Sequence, residues 1–264
     1  MIIIENRKVE GIPVLHLADK EKFSEKLPFI VFVHGFTSAK EHNLHYAYLL
    51  AEKGFRVVLP EALYHGERST GLSGNDLNVK FWEIVLTEIE ELNVIKNAFA
   101  SEDLIDEEKI GLAGTSMGGI VTMGALTRYD WIKTAVSLMG MPYYEKFALW
   151  QIDELKKHGI DLPFKEEELA GLLQKLKELD ISQQPEKLAG RPILFWHGKK
   201  DQVVPYHYTY HFYESIRTNY EEMPEKLVFL TDENAGHKVS REGLLKTVEW
   251  FETYLGDGPS GLES

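Results

Sequence analysis

Ser116 stands between Gly114 and Gly118 in the stretch IGLAGTSMGG, residues 110–119, directly after an apolar run. A serine hydroxyl is a weak nucleophile until a neighbouring base takes its proton. A sharp strand-to-helix turn lifts such a hydroxyl out of the fold. Side chains two residues before and after would collide in that turn, so glycine at both positions suits it. KIGLAG before the serine reads as a strand, and GGIVTMGAL after it reads as a helix. The first amides of that helix favour negative charge developing beside the hydroxyl. The competing reading is a glycine-rich turn with an incidental serine.

The hydroxyl needs a base, and the base needs an acid to orient it. Where serine occupies such a turn, the acid follows it in the chain and the histidine comes last. FWHGKKDQVVP supplies Asp201 in the loop after a strand at 192–198. NAGHKVS supplies His237 in the loop after a strand at 226–233, which is 36 residues after Asp201 and 121 after Ser116. Both loops fall at carboxyl ends of strands, where α/β sheets bind ligands. Asp232 is a rival acid, and His197 is expected to shape the Asp201 turn. His207 and His211 sit at i, i+4 on a helix, but no nearby carboxylate or H-E-x-x-H pattern completes a metal site, so no metal is expected. Asp153 and Asp161 read as solvated charges. Amide donors for an oxyanion come from the residue after the nucleophile and from the loop after an early strand. Here these are Met117 and, in VFVHGFTSA, Phe36, with Gly35 allowing the backbone to turn. A plain strand-ending turn is the alternative for His34-Gly35.

These residues need a frame. Short, nearly continuous apolar runs at 29–35, 55–61, 109–115, 132–140, 192–198 and 226–233 read as parallel strands covered on both faces. Residues 13–19 read as an earlier, antiparallel strand. Helical patterns at 43–54, 78–99, 206–218 and 240–255 alternate with them. The expectation is one α/β domain over 1–264, built on a mostly parallel, doubly wound sheet. Residues 141–190 break the rhythm. They carry helical patterns at 143–159 and 166–180, the second with Leu169, Leu172, Leu173, Leu176 and Leu179 on one face. This reads as a small helical cap inserted in the domain. Residues 256–264 read as a flexible tail.

Composition narrows the partners. The 264 residues carry a net charge of −13, from 29 basic and 42 acidic side chains. Nucleic acid and anionic membrane surfaces are therefore not expected. There is no cysteine, which removes disulfides, thiolate metal sites and a thiol nucleophile. The start, MIIIENRKVE, is too soon charged for a signal peptide. No apolar run approaches the roughly 18 residues of a membrane span. A soluble cytoplasmic protein is the expectation.

Together, HGFTS (34–38), YHGERS (64–69), FW (81–82), GTSMGG (114–119), WHGKKDQVVP (196–205) and AGH (235–237) carry a resemblance. The chain resembles the α/β-hydrolase superfamily. Within it, the chain is similar to small bacterial carboxylesterases whose core is like the prolyl-oligopeptidase catalytic domain and dienelactone hydrolase. The similarity spans about residues 29–250 and is weakest in the insertion. It implies an α/β-hydrolase fold, Ser116, Asp201 and His237 as a triad, and the Phe36 and Met117 amides as the oxyanion hole. Dienelactone hydrolases use a cysteine nucleophile, which is missing here, and prolyl oligopeptidases add a propeller domain. The expected activity is hydrolysis of a small-molecule, short-acyl ester without a cofactor. Amide or thioester hydrolysis, or non-catalytic ligand binding on the same fold, are the alternatives. Tyr64, His65, Tyr143, Tyr144, Phe147 and Trp150 are the candidate pocket residues. Core packing is the competing reading for each.

Overall fold

The computed structural model describes residues 1–157, 159 and 165–256. Its first half contains β1 (Ile2–Val9), β2 (Ile12–Asp19), β3 (Leu27–Val33), α1 (Leu44–Glu52), β4 (Arg56–Pro60), α2 (Gly74–Val79) and α3 (Phe81–Ser101). The second half contains β5 (Ile105–Thr115), α4 (Met117–Arg128), β6 (Thr134–Leu138), α5 (Tyr144–Lys157), α6 (Glu166–Glu178), β7 (Ile193–Gly198), α7 (Tyr206–Ile216), β8 (Leu227–Asp232) and α8 (Arg241–Leu255). The strands form one eight-stranded sheet in the order β1-β2-β4-β3-β5-β6-β7-β8. β1 and β2 are antiparallel to their neighbours, and β3 to β8 run parallel.

Alternation along β3 shows why the apolar runs are continuous. Phe29, Val31 and Val33 face the core shared with α3 and α4. Ile30 and Phe32 face the opposite core, shared with α1 and α8. Both faces are covered, so neither set of positions can be polar. From β3 the chain crosses to β4 on one side, and from β5 it crosses to β6 on the other. The carboxyl ends of β3 and β5 therefore flank a topological switch point, where doubly wound sheets bind ligands.

Three elements differ from the sequence expectation. β1 was not expected: its half-exposed edge lacks a continuous apolar run. Its signal is the Glu10-Gly11 turn, where both residues have positive φ, 47° and 88°, as a two-residue hairpin requires. β5 starts at Ile105, ahead of the expected 109, and pairs with β3 across a register shift at Pro28/Phe29. α2 precedes the long helix as a separate turn, capped by Ser73, whose hydroxyl accepts from the Asp76 amide. In the inserted region, Leu176 of α6 is fully buried, while Leu172, Leu173 and Leu179 pack half-buried against the core. Residues 257–264 of the expected tail lie outside the described residues, and Gly256 ends α8.

Candidate active site

Ser116 sits between the end of β5 and the start of α4 with φ 54° and ψ −113°. This is an uncommon conformation for a residue with a side chain. The flanking glycines explain how it is held. A Cβ on Gly114 would stand 2.3 Å from the Gly118 carbonyl carbon and oxygen, and one on Gly118 would stand 2.1 Å from the Val33 carbonyl oxygen. The Ser116 amide donates to Leu138 O at 2.7 Å, which ties the turn to β6.

His237 bridges two other loops. Its Nε2 lies 2.8 Å from Ser116 Oγ, and its Nδ1 lies 2.7 Å from Asp201 Oδ2. With the proton on Nδ1, that nitrogen donates to the carboxylate and Nε2 is left to accept the serine proton. Asp201 follows β7, and its Oδ1 accepts from the amides of Val203 and Val204 at 2.9 and 3.0 Å. Burial alone would raise its carboxyl pKa. Hydrogen bonds from His197, His237 and the Val204 amide outweigh burial and hold it well below the carboxylate range. His197 Nε2 donates to Val204 O at 2.9 Å and lies 3.3 Å from Asp201 Oδ2. The rival Asp232 accepts from the amides of Asn234 and Ala235 instead, and so closes its own turn.

The loop after β3 lies directly over the serine turn. A Cβ on Gly35 would be 3.3 Å from Thr115 O and 3.5 Å from Ser116 Cβ. Among the described residues, the Phe36 amide has no protein acceptor. The Met117 amide opens α4, so it is one of the donors that a helix start leaves without an intrahelical partner.

A cavity of about 610 Å³ opens at Ser116. Its apolar wall is built from Phe36, Phe81, Ile120, Phe147, Trp150, Leu155, Val203 and Val204. Its polar rim carries Asn75, Asn78, Gln151, Glu154 and Gln202. Of the six aromatic candidates, Phe147 and Trp150 line this space, stacked with ring centroids 5.5 Å apart. The other four are placed elsewhere. The Tyr64 hydroxyl donates to Glu83 at 2.7 Å. His65 is buried beneath the loop that carries Phe36. Tyr143 packs on Tyr208 and Phe212. Tyr144 is fully buried, with its hydroxyl donating to Ile120 O. Sequence reasoning missed Asn75 and Asn78. Their legible signal was the Ser73-x-x-Asp76 helix start, which turns α2 toward the cavity.

Glu41, Glu61 and Glu67 offer carboxylate oxygens within 4.8 Å of one another, the spacing of a cation site. The buried Lys40 ammonium already fills it, with contacts of 2.9, 2.9 and 2.7 Å to the three carboxylates. Burial would raise the Glu61 pKa, but its contacts with His34 and Lys40 hold it down at about 2. The cluster is an ion-pair network.

The sequence profile described as the prolyl oligopeptidase family matches residues 42–258. The chain belongs to this family. The matched stretch contains Ser116, Asp201 and His237, while Phe36 precedes it. YitV of Bacillus subtilis (strain 168), itself assigned only provisionally as an esterase, is 58% identical over 97% of this chain and 100% of its own length. The esterase YjfP of Escherichia coli (strain K12) is 30% identical over 97% of this chain and 100% of its own length. The crystal structure of TT1662 from Thermus thermophilus superposes with a TM-score of 0.75 at 22% identity, covering 97% of this chain and 98% of that one. The fold is that of the α/β-hydrolases, as the motifs imply. Among the described residues, no helix is long and apolar enough to cross a membrane.

Proposed function

We propose that this chain is a serine carboxylesterase that hydrolyses short-acyl esters through an acyl-enzyme. The observation that carries the reading is the continuous hydrogen-bonded series Asp201, His237, Ser116 at 2.7 and 2.8 Å, opening on one cavity. Two curated relatives that match along their whole length are described as esterases, one of them provisionally.

In the proposed reaction, His237 takes the Ser116 proton as Oγ attacks the ester carbonyl. Phe36 and Met117 donate to the resulting oxyanion. The imidazolium returns its proton to the leaving alcohol. Water, deprotonated by the same histidine, then attacks the acyl carbonyl and releases the acid and Ser116. Asp201 holds the imidazole in the required tautomer throughout. The residues named here supply every proton transfer in these steps. We read the substrate as small, the partner as neither nucleic acid nor membrane, and the protein as acting in the cytoplasm.

Labelling with a fluorophosphonate, followed by matched ester, thioester and amide substrates, tests the reading. Label on Ser116 and preferred ester turnover are the expected results. A clear preference for the amide or thioester would reassign the substrate class. Absence of labelling on folded protein would leave a ligand-binding function in its place.

A further inference from the structure

Phe36 carries one of the two proposed oxyanion donors, and its flanking residues are each fixed by a buried histidine. On one side, His34 Nδ1 lies 2.8 Å from Gly35 O, and its Nε2 lies 3.0 Å from the Ala62 amide nitrogen and 3.4 Å from Glu61 Oε1. On the other, His65 Nε2 accepts from the Thr37 amide at 2.9 Å, and its Nδ1 lies 2.8 Å from Leu63 O. An amide can only donate, so Nε2 of His65 must carry a lone pair. The Leu63 carbonyl can only accept, so Nδ1 must carry the hydrogen. One neutral tautomer satisfies both contacts. Burial opposes charging the ring and lowers its pKa. Thr37 has a positive φ of 59°, a conformation that needs such external support. The His65 ring also meets Phe36 edge-on, with centroids 5.5 Å apart. Its own loop is anchored in turn, because the Leu63 amide donates to the buried Glu88 on α3 at 3.2 Å.

We propose that His65 is a positioning residue for the oxyanion hole: by accepting from Thr37 it aims the neighbouring Phe36 amide at the reacting carbonyl. The proposal rests on the serine-esterase reading of Ser116. It places the function of His65 in the transition state, since a donor set before the reaction begins is worth most where the oxyanion forms. His65 does not line the cavity, so substrate binding should not depend on it.

Two isosteric variants separate the two ring nitrogens. His65→Gln puts an amide oxygen where Nε2 stood and keeps an acceptor for Thr37. His65→Asn reaches only the Nδ1 position and loses it. Kinetic constants on one activated short-acyl ester, and affinity for a boronate whose adduct on Ser116 fills the oxyanion hole, are compared for these variants, His65→Ala and wild type. His65→Asn and His65→Ala should lose about tenfold to a hundredfold in kcat, the scale of a misplaced donor. Their boronate affinity should fall in parallel while KM holds. His65→Gln should recover most of both. Nitrogen-15 spectra of the wild type should show His65 protonated at Nδ1 and bare at Nε2, a readout that survives if the alanine variant fails to fold. Equal losses in the glutamine and asparagine variants, a loss confined to KM, or a protonated Nε2 would overturn the proposal. A wild type that is neither labelled at Ser116 nor active on esters would overturn the serine-esterase reading together with it. An active wild type with indifferent variants overturns the His65 proposal alone.

Discussion

Gly118 packs against the Val33 carbonyl so closely that a Cβ would stand 2.1 Å from its oxygen. The first turn of α4 is thereby pressed onto the end of β3, where the chain leaves for the Phe36 loop. Gly118→Ala should force backbone apart and destabilise the fold by about 1–3 kcal/mol or more, in the range of overpacked sites. Gly171→Ala is the control. Gly171 lies inside α6, and a Cβ there would have open space around it, with nothing within 4 Å. That substitution should stabilise the protein by about 0.5–1 kcal/mol. Denaturant midpoints of both variants decide the matter, and a Gly118→Ala protein as stable as wild type would contradict the packing argument.

Ser116→Ala should remove ester turnover and leave the fold intact, because the turn depends on its glycines and not on the hydroxyl. Triad removals lower turnover by about four to six orders of magnitude. Asp201→Asn should also cut turnover strongly, since an amide favours the wrong imidazole tautomer. Asp232→Asn should do far less, because Asp232 bonds the Asn234 and Ala235 amides and the Ser240 hydroxyl, while His237 Nδ1 is held by Asp201. The opposite ranking of the two asparagine variants would move the acid role to Asp232.

The depressed Asp201 pKa has a signed consequence for stability. Its ionised form is favoured by folding, so the stability it contributes is present above the ordinary carboxyl range. That stability is lost as pH falls through the depressed value. Asp201 therefore stays ionised through mildly acidic pH, and the acid limb of the rate should carry no protonation of this carboxylate. A second protonation in that limb, absent from the Asp201→Asn variant, would contradict this assignment.

Glu88 shows the reverse sign. Burial raises its carboxyl pKa well above the usual range, the neighbouring Glu91 charge adds to this, and Arg68 opposes it. Folding favours the protonated form, so the associated stability is complete below the unfolded carboxyl pKa and is lost as pH rises through the raised value. Glu88→Gln keeps an oxygen for the Leu63 amide and cannot ionise. Urea titrations should show wild type losing ground to Glu88→Gln steadily from mildly acidic to alkaline pH. Parallel stability curves for the two proteins would count against a protonated Glu88.

How much of this was legible in the sequence depends on whether the signal was local. The strands at 29–35, 109–115 and 192–198 announce themselves because both faces are buried, and the serine turn shows as glycines at fixed offsets. Asp201 and His237 follow from chain order and loop position, and the structure brings His237 to Ser116 and Asp201 to His237. The edge strand β1 lacked the two-faced burial that makes a strand easy to read. The side on which an aromatic lands was not legible either. Tyr143 and Tyr144 adjoin in sequence, yet one half-covers α7 and the other is sunk beneath α4. His65 was expected at the substrate and lies behind the Phe36 loop, because its neighbours are set by the crossing of two loops distant in sequence.

The proposed short-acyl preference depends on the wall that α5 gives the cavity. Phe147 and Trp150 are one helical turn apart and stack nearly parallel, 11° between planes, across the space beside Ser116. Phe81 meets Phe147 edge-on from α3 and closes the same side. A cavity of about 610 Å³ is within the usual size for small-ligand sites. It must hold both the acyl and the alcohol portions, so rings on one wall shorten the room for either. Each extra methylene gains about 0.8 kcal/mol only where apolar surface can bury it. In wild type, kcat/KM for esters differing only in acyl length should rise little beyond about two to four carbons, because further methylenes meet the rings instead of a groove. Trp150→Ala removes the exposed ring and leaves the buried Phe147 to hold the core. The variant should gain most on the longer acyl groups and little on acetate, with the optimum moved to greater length. Wild-type constants that climb steadily to long chains, or a Trp150→Ala variant with an unchanged length profile, would show that these rings do not set the acyl limit.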